Sequence, residues 1–142
     1  SYLGSNGNPI PSIPIKNETG KVTSYFKNGK VSREFEMLNG YFVGNYNEYY
    51  ENGQLMATSV YQDGTITGTR TEYWDNGKIK TEDSFFNGYL NGIKKSYTKN
   101  GVLIKAQTYS IDHLHGPTLY YSSTGKLVKT VNYYDGIIIS EN

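Results

Sequence analysis

Large apolar residues recur along this chain at a fixed interval of 24 residues. One aliphatic column runs Val31, Leu55, Ile79, Leu103 and Leu127. A second, apolar or aromatic, runs Met37, Tyr61, Phe85, Tyr109 and Tyr133, and a third runs Phe42, Ile66, Leu90, Leu114 and Ile138. Between the first two columns the chain alternates with period two. Leu55, Ala57, Ser59 and Tyr61 share one face of an extended segment, as do Ile79, Thr81, Asp83 and Phe85. Alternation nested inside a longer repeat predicts tandem strands and no helix. The apolar ends of that face are the expected core, and its variable middle predicts a narrow one.

Turn residues separate these strands at the same interval. Asn28-Gly29, Asn52-Gly53, Asn76-Gly77 and Asn100-Gly101, with Thr124-Gly125, predict two-residue type I′ hairpin turns, which need positive φ at both central residues. A second set is Asn39-Gly40, Asp63-Gly64, Asn87-Gly88 and Asp135-Gly136; Ile111-Asp112 stands in its place once and predicts a local departure there. A further glycine column, Gly20, Gly44, Gly68, Gly92 and Gly116, closes each unit. One hairpin cannot bury its apolar face alone, whereas stacked hairpins share a continuous interior. The expectation is therefore all-β: an elongated antiparallel meander of stacked β-hairpin repeats over 20–142, with units of about 21–44, 45–68, 69–92, 93–116 and 117–140. Residues 1–19 fall outside the period. Pro9, Pro11 and Pro14, with Ile10, Ile13 and Ile15 between them, predict a strap over the first hairpin or a linker.

Composition narrows the function classes. The net charge of +1 gives no global field to draw nucleic acid. There is no cysteine, hence no disulfide and no thiolate chemistry. No phosphate-binding loop, nucleophile elbow or dinucleotide fingerprint is present, so neither an enzyme nor a cofactor is expected. His113 and His115 form a His-x-His pair beside Asp112, but no third metal ligand converges on them. Glu48 and Glu72 share a column and lie on adjacent hairpins roughly 10 Å apart, the expected setting of solvated repeat positions rather than of a catalytic pair.

The 15 tyrosines hold one unbroken column, Tyr25, Tyr49, Tyr73, Tyr97 and Tyr121. Neighbours on a strand point to opposite sides. If that column faces inward, the next one, Phe26, Tyr50 and Trp74, faces outward as an aromatic ladder, with Tyr46 on the same side. An exposed aromatic ladder is a candidate protein or carbohydrate contact, so these four are the expected binding residues.

One unit reads Glu48-Tyr49-Tyr50-Glu51-Asn52-Gly53-Gln54-Leu55, then Tyr61-Gln62-Asp63-Gly64 and Gly68; the next reads Glu72-Tyr73-Trp74-Asp75-Asn76-Gly77-Lys78-Ile79, then Phe86-Asn87-Gly88 and Gly92. This pattern resembles the bacterial variant of the MORN repeat over roughly residues 20–140. The resemblance implies a hairpin array without catalytic activity, used as a protein-interaction module. It further implies either an antitoxin-like protein, which is cytoplasmic, or an exported cell-envelope protein. Membrane contact, a trait of other MORN proteins, is a weaker implication here. Choline- and glucan-binding repeats offer the alternative, a glycan- or choline-binding cell-wall module. Those repeats need Trp just after the closing glycine, where this chain has Lys21, Asn45, Thr69, Ile93 and Pro117.

Overall fold

The computed structural model describes residues 19–142, so the Pro-containing segment 1–19, all but Thr19, lies outside the described residues. Twelve strands follow one another: β1 (Gly20–Tyr25), β2 (Val31–Leu38), β3 (Tyr41–Tyr49), β4 (Leu55–Gln62), β5 (Thr65–Tyr73), β6 (Ile79–Phe86), β7 (Tyr89–Leu90), β8 (Gly92–Tyr97), β9 (Leu103–Ser110), β10 (His113–Tyr121), β11 (Leu127–Tyr134) and β12 (Ile137–Glu141). All belong to one antiparallel sheet in sequence order, with the short β7 paired only to β6. This is the expected open meander, and the described residues contain no helix.

The two sets of turns differ in kind. In the first set only glycine takes positive φ, from +83° at Gly29's equivalents Gly77 and Gly125 to +93° at Gly53. Gly53 N donates to Tyr50 O at 2.9 Å and Tyr50 N to Gln54 O at 2.8 Å. These are three-residue loops, a type I turn followed by a left-handed glycine, not the two-residue type I′ turns expected from Asn-Gly. Asparagine is placed there for its side chain. Asn52 Oδ1 accepts from Gln54 N at 2.9 Å, and Asn28 and Asn76 cap Lys30 N and Lys78 N in the same way. The second set is type I′, with φ of +49° and +80° at Asp63 and Gly64. Ile111 and Asp112 adopt the same conformation, at +45° and +66°, so the expected local departure does not occur. Neighbours pin that turn. Asp112 N donates to Leu90 O at 2.9 Å, Asp112 Oδ1 accepts from Leu90 N at 2.7 Å, and Ile111 N donates to Asn91 Oδ1 at 3.2 Å.

The remaining glycine column bends the strands. Between the pairs Glu36↔Val43 and Glu34↔Asn47, three residues of β3 (44–46) lie opposite Phe35 alone. Equivalent bulges fall at Gly68 in β5 and Gly116 in β10, and at Gly92 the break separates β7 from β8. Gly44 and Gly68 hold φ of +67° and +72°, which a side chain would strain.

That bend decides where burial occurs. Among the described residues the buried side chains are Met37, Ala57, Val131, Ser59, Asp83 and Thr118, with Ser32 at the register shift beside Tyr25↔Val31. The register Arg33↔Glu48↔Ala57↔Glu72↔Thr81↔Ser96↔Lys105↔Tyr120↔Lys129 puts the first six on one face. Of the column ends expected as core, Met37 is buried, but others such as Leu55, Tyr61, Ile79 and Phe85 are only half-buried, and Leu127 is 50% exposed. A single-layer sheet has no opposing layer to cover them. The bulges make the middle of this face concave, so its small and polar residues are the ones enclosed.

Ile111 is a β-branched residue held in the left-handed region, which costs roughly 1–2 kcal/mol. Since its side chain is 59% exposed, Ile111→Asn sacrifices little packing. That substitution should raise the melting temperature by about 3 °C in a thermal melt; a lowered value would contradict the turn geometry.

Candidate functional site

Phe26, Tyr50 and Trp74 each open a three-residue turn, and all three are half-buried. Tyr50 Oη donates to Tyr73 O at 2.7 Å, and Trp74 Nε1 donates to Tyr97 O at 3.2 Å. These rings therefore tie one unit to the next. The Trp74 ring also lies below two ammonium groups, Lys80 Nζ at 4.8 Å and Lys99 Nζ at 5.6 Å from its centroid. Tyr46 sits elsewhere. It stacks on Phe35 with centroids 5.0 Å apart, meets Phe42 edge-on at 5.4 Å and Tyr61 at 5.8 Å, and Arg33 Nη1 donates to its hydroxyl at 3.2 Å. The structure thus splits the four residues into a turn-edge series and an aromatic cluster on the concave face. Phe26 and Tyr50 line a shallow cleft with Ser32, Arg33, Glu48, Tyr49, Glu51 and Met56, and of these Arg33 also bonds Tyr46.

Beyond this cluster the concave face is charged. Arg70 Nη2 lies 3.4 Å from Glu48 Oε2, and Arg70 Nη1 bonds Glu72 Oε1. Glu48 and Glu72 are therefore held in one ion-paired group rather than solvated as separate positions. Lys94 Nζ lies 3.4 Å from the buried Asp83 Oδ1 further along. Arg70 is the residue that sequence reasoning missed. Its place on the face of Glu72 was visible, but its reach to Glu48 depends on the register between units.

The opposite face carries the tyrosine column. Tyr49 Oη donates to Glu34 Oε2 at 2.8 Å and Tyr97 Oη to Glu82 Oε2 at 2.7 Å. Glu34 pairs with Asn47, out of phase with the concave-face pair Arg33↔Glu48. Desolvation, reinforced by the bond to Glu82 and its charge, pushes the Tyr97 phenol up to about 12, and the same causes raise Tyr49. At the second-turn edge His115 Nδ1 lies 3.2 Å from Asp135 Oδ1, and its ring packs on Tyr134. Among the described residues no three metal-ligating side chains cluster.

A family described as MORN repeat variant matches five stretches, residues 18–39, 42–63, 66–87, 90–110 and 114–135. Together they span more than half of the chain. The chain belongs to the MORN repeat variant family. Each match ends at or beside a type I′ turn, so the MORN unit here is the hairpin closed by the three-residue turn, and the type I′ turns join one unit to the next. The hairpin β3–β4 is one such unit and β5–β6 the next. No curated protein sequence matches the chain.

The raised Tyr97 phenol makes a pH prediction. An unfolded tyrosine ionises near 10, whereas Tyr97 in the fold holds its proton to about 12. Between those values the unfolded chain has lost a proton that the folded chain keeps, so stability falls as pH rises; below 10 the contribution is constant. Urea midpoints taken from neutral to strongly alkaline pH should be flat and then decline, with a shallower decline in Tyr97→Phe. Equal alkaline slopes in the two proteins would contradict the assignment.

Proposed function

We propose that this MORN-repeat chain is a non-catalytic scaffold that binds another protein through Phe26, Tyr46, Tyr50 and Trp74. The observation that carries the reading is the cluster of Tyr46 with Phe35, Phe42 and Tyr61 beside Arg33 on the concave face, with Arg33 also lining the cleft of Phe26 and Tyr50. Aromatic rings with an arginine alongside are the side chains that dominate protein interfaces, because they bury large area at low entropic cost. A concave, rigidly laddered face presents them in a fixed arrangement. The carboxylates most easily taken for an acid–base pair, Glu48 and Glu72, are both held by Arg70, which supports binding over catalysis.

The partner is a protein in this reading and not a nucleic acid, since the net charge is +1. The resemblance to bacterial MORN-variant repeats supports a bacterial setting, at the cell surface for an envelope role or in the cytoplasm for an antitoxin-like one. Glycan or choline binding stands second, because the positions after the closing glycines, Lys21, Asn45, Thr69, Ile93 and Pro117, hold no aromatic ring.

Affinity capture tests the reading. Immobilised wild-type chain should retain a defined protein in stoichiometric amount. Tyr46→Ala and Trp74→Ala, each checked for an intact strand spectrum by circular dichroism, should retain about tenfold less, the effect of losing roughly 1.4 kcal/mol of contact. Undiminished capture by both variants, or retention of cell-wall glycan and no protein, would remove the proposal.

A further inference from the structure

The net charge of +1 conceals a strong asymmetry between the two edges that carry the turns. The three-residue turns at 26–30, 50–54, 74–78, 98–102 and 122–126 hold five lysines against Glu51 and Asp75, a net of +3. The type I′ turns at 38–41, 62–65, 86–89, 110–113 and 134–137 hold Asp63, Asp112 and Asp135 and no lysine or arginine, a net of −3 with histidine neutral. The sheet is therefore basic along one edge and acidic along the other.

A second pattern runs along both edges, with a period of two units. At the acidic edge the residues flanking the turn are large and apolar in alternate units: Leu38 with Tyr41, Phe86 with Tyr89, and Tyr134 with Ile137. All six are exposed, from 48% at Leu38 to 69% at Ile137. The units between carry Gln62 with Thr65 and Ser110 with His113. At the basic edge the residue after the turn glycine alternates in the same phase, as Lys30, Gln54, Lys78, Val102 and Lys126. Two units are four strands, so both series repeat at about 19 Å.

We propose that copies of this chain associate side by side, the acidic apolar edge of one against the basic edge of the next, in register unit for unit. Lys30, Lys78 and Lys126 then meet the three apolar pairs, their stems covering apolar surface and their ammonium groups reaching the rings, with Lys30 and Lys78 exchanging their present bonds to Asn52 O and Asn100 O for that contact. The chain already makes this contact internally, where Lys80 and Lys99 lie over Trp74. Lys99 faces Asp112, and Lys126 faces Asp135, leaving Glu51 opposite Asp63 as the one like-charge meeting. A second copy is the occupant because it alone combines opposite edge charge with the same spacing and phase. The contact is heterologous and does not close, so it extends to further copies.

Sedimentation velocity over a hundredfold range of protein concentration reads the association, at low salt and at about 1 M salt, where charges more than about 3 Å apart are screened. The weight-average mass should rise with concentration at low salt, and less steeply at high salt. Phe86→Ser with Tyr89→Ser should lower the association constant about tenfold. Lys126→Glu and Asp135→Lys should each weaken it severalfold, and an equimolar mixture of those two variants should recover association by restoring an opposite-charge pair. Each variant is checked for an unchanged strand spectrum, and the lysine variant leaves the apolar edge intact. A single-chain mass at every concentration, association indifferent to Phe86→Ser with Tyr89→Ser, or a mixture no stronger than its components would overturn the proposal.

Discussion

The amide of a type I′ turn residue has no acceptor within its own hairpin. Here that amide reaches back to the first residue of the unit the turn follows: Gly64 N to Phe42 O, Gly88 N to Ile66 O and Asp112 N to Leu90 O at 2.9 Å, and Gly136 N to Leu114 O at 2.8 Å. The acceptors are free because of the bulge. The ladder between β3 and β4 starts only at Gly44↔Tyr61, leaving the outer side of residues 41–43 unpaired. The same holds at Gly68↔Phe85, Gly92↔Tyr109 and Gly116↔Tyr133. The glycine that bends the strand and the turn that closes the next hairpin are thus two ends of one device. It satisfies buried or bent backbone groups that would otherwise be orphaned. Asn28 and Asn76 do corresponding work at the other edge, donating to Glu51 O and Lys99 O while capping their own turns.

A fold held by such periodic bonds needs little apolar interior. The buried line is built from Ala57, Ser59, Asp83 and Thr118 as well as Met37 and Val131, and long side chains are left for the rims. Large residues on a thin sheet have half their area open, which suits presentation of a surface rather than enclosure of a substrate. The aromatic cluster around Tyr46, the ion-paired group around Arg70 and the Lys94–Asp83 pair are places where that surface is locally fixed. Each lies on the concave face, where the bend brings neighbouring strands' side chains together.

The sequence made the architecture legible because it repeats. Columns of glycine, tyrosine and aliphatic residues announce strands and turns with no reference to long-range contacts. What it concealed was the geometry that depends on register. Asn52-Gly53 looks like a type I′ turn, but a bulge beside it and the Asn52 side chain select a three-residue loop, which local composition does not distinguish. Ile111-Asp112 looks incompatible with a type I′ turn, yet three bonds to residues about twenty positions earlier hold it there. Of the four expected binding residues, Phe26, Tyr50 and Trp74 fall in one series as their column suggests, whereas Tyr46 joins Phe35, Phe42 and Tyr61, a grouping that requires knowing which strands bend. Arg70 between Glu48 and Glu72 was hidden for the same reason.

The central claim is that each joining turn's amide bonds back across a whole unit to its first strand, and amide hydrogen exchange measured by NMR tests it directly. Gly64, Gly88, Asp112 and Gly136 sit at solvent-facing turn tips, where an unbonded amide exchanges at nearly the rate of an unstructured peptide. The account predicts protection at these four comparable to that of the flanking strand amides. Exchange at the unprotected rate in all four would contradict it.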